Sequence, residues 1–221
     1  MKISKTVKIA NQPDRLAIPE TMALRHKILS VSEQLLHEVG LHAFSMREVA
    51  RRAGVTHQAP YHYFVDREGI LMELVAQGYA EFGADLRNAI ATVPSVQGVF
   101  SQTKRIELAV AVGSAYVGYA LDHPALFRLL FRSELYDISQ SPSAIAARNE
   151  AFAALENMVV LLHGTSASHV KATVYWAQVH GLASLMLDGP LEMFFTEESA
   201  RAHLLKASLK AFANAMLTPK G

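Results

Sequence analysis

The stretch from Ser45 to Gly69, SMREVARRAGVTHQAPYHYFVDREG, leaves this chain few ways to fold. It reads as two short helices joined by a tight turn. Ser45 can cap the first helix, and Glu48 stands three residues later, where a capping box needs it. Ala50 is small enough for a second helix to cross close by. Gly54 can take the left-handed conformation that ends a helix and turns the chain. Val55 then plugs the corner, and Thr56 can cap the next helix. Such a unit is a helix-turn-helix, whose second helix can enter a DNA major groove.

That second helix, His57 to Phe64, is too short to be stable alone. Val49, Pro60, Tyr63 and Phe64 are expected to hold it from inside, leaving His57, Gln58, Tyr61 and His62 on the other face. Polar side chains at the start of such a helix suit base edges, and a tyrosine hydroxyl suits a phosphate oxygen. A helical hairpin inside an inert bundle would share this geometry, so the weight falls on several spacings agreeing at once.

Those spacings are Met46-Arg-Glu-Val-Ala-Arg-Arg-Ala-Gly-Val-Thr56, Tyr61-x-Tyr-Phe64 and Asp66-Arg-Glu-Gly69. They resemble the DNA-binding signature of TetR-family transcriptional regulators, over about residues 21 to 75. The resemblance implies that Thr56, His57, Gln58 and Ala59 read bases, and that Tyr61 and Arg67 hold the backbone. Arg47 and His62 complete the expected DNA-contacting set. Four positions depart from the family pattern. Pro60 stands where the family usually has Leu, Tyr63 where it often has His, Arg67 for Lys, and Gly69 where an acidic residue is common. Pro60 removes one helical N–H and biases Ala59 away from helix, so the reading helix is expected to be tighter or distorted at its start.

At 221 residues, 51% of them hydrophobic and 19% charged, the chain supports one domain or two small ones with a packed core. It has no Cys, hence no disulfide framework, which agrees with a reducing cytoplasm. No uncharged run approaches a membrane span, and the first residues, MKISKTVKIANQPDR, lack the apolar core of a signal peptide. A cytoplasmic protein without membrane partners is expected. Residues 1–69 hold ten Lys and Arg against seven Asp and Glu, and the remainder holds eleven against thirteen. A mildly basic front on a neutral body suits a small DNA-reading domain on a larger one.

Three segments follow. Residues 1–19 carry Lys2, Lys5, Lys8 and Arg15 between breakers Pro13 and Pro19. They read as a solvated tail, or as a basic arm touching DNA beside the site. Residues 20–69 form the helix-turn-helix domain, and 70–221 a helical ligand-binding and dimerisation domain. The first helix, about Glu20 to Val39, shows an apolar stripe of Leu24, Ile28, Val31, Leu35 and Val39, ended by Gly40. Arg25 and Lys27 near its start read as solvated surface, or as contacts to phosphate. Asp66 can cap a helix running to about Ala91, the mechanical link between the two domains. The next helix, about residues 95 to 121, contains Gly98, Gly113 and Gly118, each costing roughly 1 kcal/mol relative to Ala. They permit either close helix packing or space for a ligand. His123-Pro124 stops that helix and opens a short one with Leu126, Phe127, Leu130 and Phe131 inward. Helices at about Ser143–His163, Ser168–Leu187 and Thr196–Leu217 complete an all-α fold of about nine helices.

The last two helices are apolar over more than one face. Ala177, Gly181 and Ser184 make a small-residue face, and Leu205, Leu209, Phe212 and Met216 a large one. A symmetric four-helix bundle between two chains would cover both, with ordinary packing in a monomer as the alternative. Trp176-x-x-x-His180-Gly181, with His123-Pro-Ala-Leu-Phe127, resembles the C-terminal domain of a TetR subgroup named for Trp, His and Gly (WHG).

No pair among the ten His has the i, i+4 spacing of a helical metal site, so no metal or other cofactor is expected. No Gly-rich phosphate loop and no Gly-x-Ser-x-Gly elbow appears, so no enzyme activity is expected. The expected function is a ligand-responsive transcriptional regulator: a homodimeric repressor released from a palindromic DNA operator by a small apolar inducer. Tyr116, Phe127, Phe131, Trp176, His180 and Met186 are the expected inducer lining. The rival readings are a helical assembly protein that does not bind DNA, and an all-α enzyme using a buried His.

Overall fold

In the computed structural model, residues 17–95, 100–189, 191 and 196–218 are described. The basic segment with Lys2, Lys5, Lys8 and Arg15 lies outside them, as do Gly98 and most of the LEMFF segment. The described residues form eight α-helices and short 3-10 turns: α1 (Ala17–Ala43), α2 (Met46–Ala53), α3 (Arg67–Thr92), α4 (Gln102–Asp122), α5 (Pro124–Leu130), α6 (Pro142–His163), α7 (His169–Leu187) and α8 (Glu198–Leu217). The fold is all-α, with an N-terminal helix-turn-helix and a larger helical C-terminal domain. Against the nine expected helices, the described residues form eight, because the ninth, the reading helix, is a 3-10 turn.

α1 buries Ile28, Leu29, Leu35 and Leu36. Buried Ser32 donates its hydroxyl to the Ile28 carbonyl at 2.7 Å, so it adds no orphan polar group. The buried line is centred on the 28, 29, 32, 35, 36 spacing, which leaves Val39, a member of the expected stripe, on its flank and 38% exposed. Gly40, at φ 67° and ψ −179°, breaks the helix as expected, but a last turn resumes to Ala43.

α3 starts at its Asp66 cap, where the carboxylate accepts from the Gly69 N–H at 2.9 Å. From there it buries Leu71, Val75, Tyr79, Phe82 and Leu86 and runs from the helix-turn-helix into the body. Tyrosine hydroxyls pin it. Tyr79 and Tyr136 both donate to the Leu130 carbonyl, at 2.7 and 2.8 Å, and so satisfy the open end of α5. Tyr119 on α4 donates to the Gly78 carbonyl of α3 at 3.0 Å.

α4 begins at Gln102, later than periodicity implied, because Ser101 caps it through the Lys104 N–H. Its two described glycines divide the expected roles. A Cβ on Gly113 would stand 2.6 Å from a Leu209 methyl and 3.4 Å from Val179, so this glycine lets α4 pack closely on α8. A Cβ on Gly118 would meet nothing within 4 Å.

Candidate nucleic-acid interface

Ser45 caps α2 as its sequence implies, accepting from the Glu48 N–H at 3.3 Å. The Glu48 carboxylate is engaged elsewhere. It takes Arg51 at 2.6 and 2.8 Å and Arg52 at 2.9 Å, partners three and four residues on along the same face. The Arg51 hydrogen bonds, then those from Arg52, hold its carboxyl down at about 2. Arg52 also reaches Glu38 of α1 at 2.5 Å. Two of the three α2 arginines are thus neutralised within the fold. Arg47 is exposed, with no ion-pair partner among the described residues.

Gly54 closes α2 in the left-handed region, φ 69° and ψ 33°, where a side chain would be strained. The reading element is Ala59–His62, a single 3-10 turn. Pro60 has no N–H to give the Thr56 carbonyl, so the bonds close one residue short. Ala59 N–H donates to Thr56 and Tyr61 N–H to Gln58, at 3.0 and 3.1 Å. Thr56 does not cap it; Gln58 precedes the turn without a side-chain cap.

Val49, Pro60 and Phe64 are buried beneath the turn, and Tyr63 is half-buried. Thr56, His57, Gln58, Tyr61 and His62 are exposed, and Ala59 is half-buried. Tyr61 keeps 48% of its surface open. His57 and Gln58 hydrogen-bond side chain to side chain at 3.0 Å, so the two polar tips are held together. Arg47, His57 and Tyr61 share one concave surface of about 740 Å³ between α2 and the turn.

Two cations stand otherwise than the sequence implied. Arg67 does not extend from the surface. One Nη donates to the Leu41 carbonyl at 2.6 Å, and its guanidinium lies 5.8 Å from the Phe44 ring. It is half-buried because the start of α3 sits against the end of α1. Arg25 pairs with Glu73 at 2.7 Å and lies over the Phe64 ring, bracing α1 on α3. Periodicity gives no sign of either tie.

With this geometry in place, the kinship is decided by two matches that together take in most of the chain. Residues 28–74 match the family described as bacterial regulatory proteins, tetR family, and residues 109–209 match the tetracyclin repressor-like C-terminal domain. The chain belongs to the tetR family. The HTH-type transcriptional regulator BetI of Escherichia coli is 25% identical over 115 residues, 48% of this chain and 59% of BetI. The alignment therefore spans little more than half the length of that relative. A protein with unknown function from Rhodococcus sp. RHA1 shares the fold at TM-score 0.73 and 24% identity, over 94% of this chain and all of that one. The TetR-family regulator PfmR from Thermus thermophilus does so at 0.55 and 19%, over 86% and 96%.

Relative to this tetR-family frame, five of the six expected inducer-lining residues do meet. Trp176 donates its indole N–H to the Tyr116 hydroxyl at 3.0 Å, and that hydroxyl faces His180 Nδ1 at 3.0 Å. Burial lowers the His180 pKa and raises that of Tyr116, so both stay neutral near pH 7, and the His180 tautomer sets which of the two donates. Phe127 stacks on His180 at 5.6 Å, and Phe131 meets it edge-on at 4.8 Å. Met186, six residues past His180, is buried on another face of α7. Phe82 and Phe152 join the cluster, against Tyr116 and Trp176, and nothing in their spacing singles them out.

These rings pack against one another, and the enclosed space that touches Tyr116 is small. The space beside Tyr116, Tyr175 and Gln178 amounts to about 10 Å³, room for one water, where drug-sized ligands need some 300 Å³ or more.

The expected dimer residues also divide. Ala177 is exposed, a Cβ on Gly181 would meet nothing within 4 Å, and Ser184 is half-buried. Val170 (73% exposed), Val174 and Leu185 extend this open apolar face along α7. Leu209, however, is 3% exposed and belongs to the subunit's own core, since it fills the space above Gly113. Leu205, Phe212 and Met216 are half-buried, and Phe212 meets Tyr175 edge-on at 5.2 Å. Of the large face of α8, Leu209 alone is closed off, and the other three keep part of their surface open.

Burial lowers the pKa of His163 as well as His180, with Lys171 and Arg105 adding to the effect at His163. A histidine depressed in the folded state contributes its full stability above its unfolded value, near 6.5, and loses it as pH falls through the folded one. The carboxylates whose pKa is lowered, Glu48, Glu134 and Asp137, act only at more acidic pH. Glu81, whose carboxyl pKa is pushed up by burial, acts in the opposite sense, so the test is the difference: between pH 7 and 5 the unfolding temperature of the wild type should fall more than that of a His163→Asn/His180→Asn variant.

Proposed function

We propose that this chain is a DNA-binding transcriptional regulator that acts as a homodimer, represses from a palindromic operator and is released by a small molecule. One observation carries the reading. The polar residues of the reading turn are exposed together while Val49, Pro60 and Phe64 hold the turn from beneath. An inert hairpin has no need to present Thr56, His57, Gln58 and Tyr61 on one open face. The Escherichia coli relative BetI, an HTH-type transcriptional regulator, supports the same reading.

In this reading, residues 20–69 form the DNA-reading domain and 70–221 the regulatory and dimerisation domain, in a cytoplasmic protein. Among the described residues no helix is long and apolar enough to cross a membrane. Trp176, His180 and Gly181 lie on one helix beside Tyr116, which supports placing the C-terminal domain with the Trp-His-Gly type. The open α7 face would pair with its copy across a two-fold axis. The two reading turns would then meet successive major grooves, about 34 to 36 Å apart. An inducer that moves α3 would spoil that match. A coupling of about 1–3 kcal/mol would weaken operator binding roughly 5- to 150-fold.

A gel shift with DNA from upstream of the chain's own gene tests the reading. A sequence-specific shift supports it; none at any salt concentration removes DNA binding and leaves the assembly reading.

A further inference from the structure

A groove of about 670 Å³ lies where the reading domain meets the body. On one side are the end of α1, Phe44 and Arg67; on the other are α5, Arg132 and Leu135. Its floor is apolar, from Leu36, Leu41, Phe44, Ala125, Leu129 and Leu135. Its charge is of one sign. Arg67, Arg128 and Arg132 line it with His37 and His42, and no carboxylate does.

Partners outside the wall account for two of the arginines. Arg128 meets Asp188 at 3.1 Å, and Arg132 pairs with Glu134. Arg67 has no carboxylate within ion-pair distance among the described residues, and its Nε is buried without a hydrogen-bond acceptor. A buried donor without an acceptor is costly in a folded protein and calls for an explanation. That Nε is closed off from solvent, so a carboxylate in the groove would meet the Arg67, Arg128 and Arg132 side chains where they line it. An attached alkyl chain would cover the leucines and Phe44.

We propose that this interdomain groove binds an anionic amphiphile, a carboxylate on an apolar chain, and that this is the inducer site. The proposal deepens the regulator reading by naming ligand class and place, and it moves the ligand out of the packed ring cluster. It also gives a route to the reading turn. Arg67 opens α3, and the Asp137 N–H donates to Glu68 beside it at 2.9 Å, so that corner is tied to the segment after α5. A ligand between α1 and α5 bears on both ties. A carboxylate that holds Arg67 withdraws from operator phosphate a cation the resemblance assigns to it.

The test uses the full chain and dodecanoate below its micelle concentration, titrated calorimetrically without DNA, with dodecanol and acetate alongside. Dodecanoate should bind once per subunit, at least about tenfold more tightly than either control. Arg128→Gln/Arg132→Gln should weaken it about tenfold, and Ala125→Phe, which fills the groove without changing charge, should weaken it as much. Dodecanoate should then release wild-type protein from its operator. Equal binding of dodecanol, no binding of dodecanoate, or wild-type affinity in both variants overturns the proposal. The calorimetry contains no DNA, so its failure leaves the regulator reading standing. A missing gel shift removes that reading and leaves the calorimetry interpretable.

Discussion

Tyr61→Ala is expected to weaken operator binding about thirtyfold, by one factor for every DNA sequence tested, and to leave the unfolding temperature unchanged. The magnitude follows from one neutral hydrogen bond to phosphate per subunit. Each is worth about 1 kcal/mol net, two act in a dimer, and about 1.4 kcal/mol is a factor of ten. The uniformity follows because phosphate contacts position a protein without reading sequence. The unchanged unfolding temperature follows because the Tyr61 side chain is about half exposed and is not part of the buried core. Arg67→Ala should behave differently. Its guanidinium ties the Leu41 carbonyl and lies by Phe44, so its loss should lower the unfolding temperature as well as the affinity. Arg47→Ala should reduce the salt dependence by about one unit per subunit, as a lost phosphate contact from a cation does. Gel shifts over a salt series, with thermal unfolding of each variant, separate the three. A Tyr61→Ala loss confined to one sequence would make Tyr61 a base reader and defeat the assignment.

What the sequence makes legible here is what short-range chemistry decides. Ser45, Gly54 and Asp66 act within four residues of themselves, and each does in the fold what its type permits. Pro60 belongs with them, since its fixed φ and missing N–H suit the first turn of a helix, which is where it stands. Glu48 shows the limit. Its position fits a capping box, but Arg51 and Arg52 lie at helical spacing on the same face, and two charge-assisted partners outcompete one backbone N–H. The ring cluster shows another. Helical periodicity says that Tyr116, Phe131, Trp176 and His180 face inward; whether they line a cavity or fill it depends on summed volumes across five helices, which no spacing encodes. The groove at Arg67 is out of reach for a similar reason, because its walls come from segments about ninety residues apart.

Leu209 and Leu185 put the last such ambiguity to the test. Apolar periodicity cannot tell a residue facing its own core from one facing a second copy, and the spacing of Leu209 suits the latter as well as the former. In the fold it sits over Gly113, closed on all sides by its own subunit. Leu209→Ala should therefore cost about 2–5 kcal/mol in denaturant unfolding, the range for a buried leucine emptied into a cavity that collapses incompletely. Subunit association should not change. Leu185→Glu should do the reverse. Leu185 is exposed on the α7 face with Val170 and Val174, so a carboxylate there disturbs little within the subunit. Across a two-fold axis it would bury charge without a partner and set it near its own copy, which opposes association strongly. Sedimentation over a concentration series should show dimer for Leu209→Ala and monomer for Leu185→Glu. Unfolding should depend on protein concentration in the wild type and lose that dependence in the second variant. If Leu209→Ala dissociates the dimer while Leu185→Glu does not, α8 is the pairing helix after all, and the two-fold arrangement proposed for the reading turns fails with the α7 face.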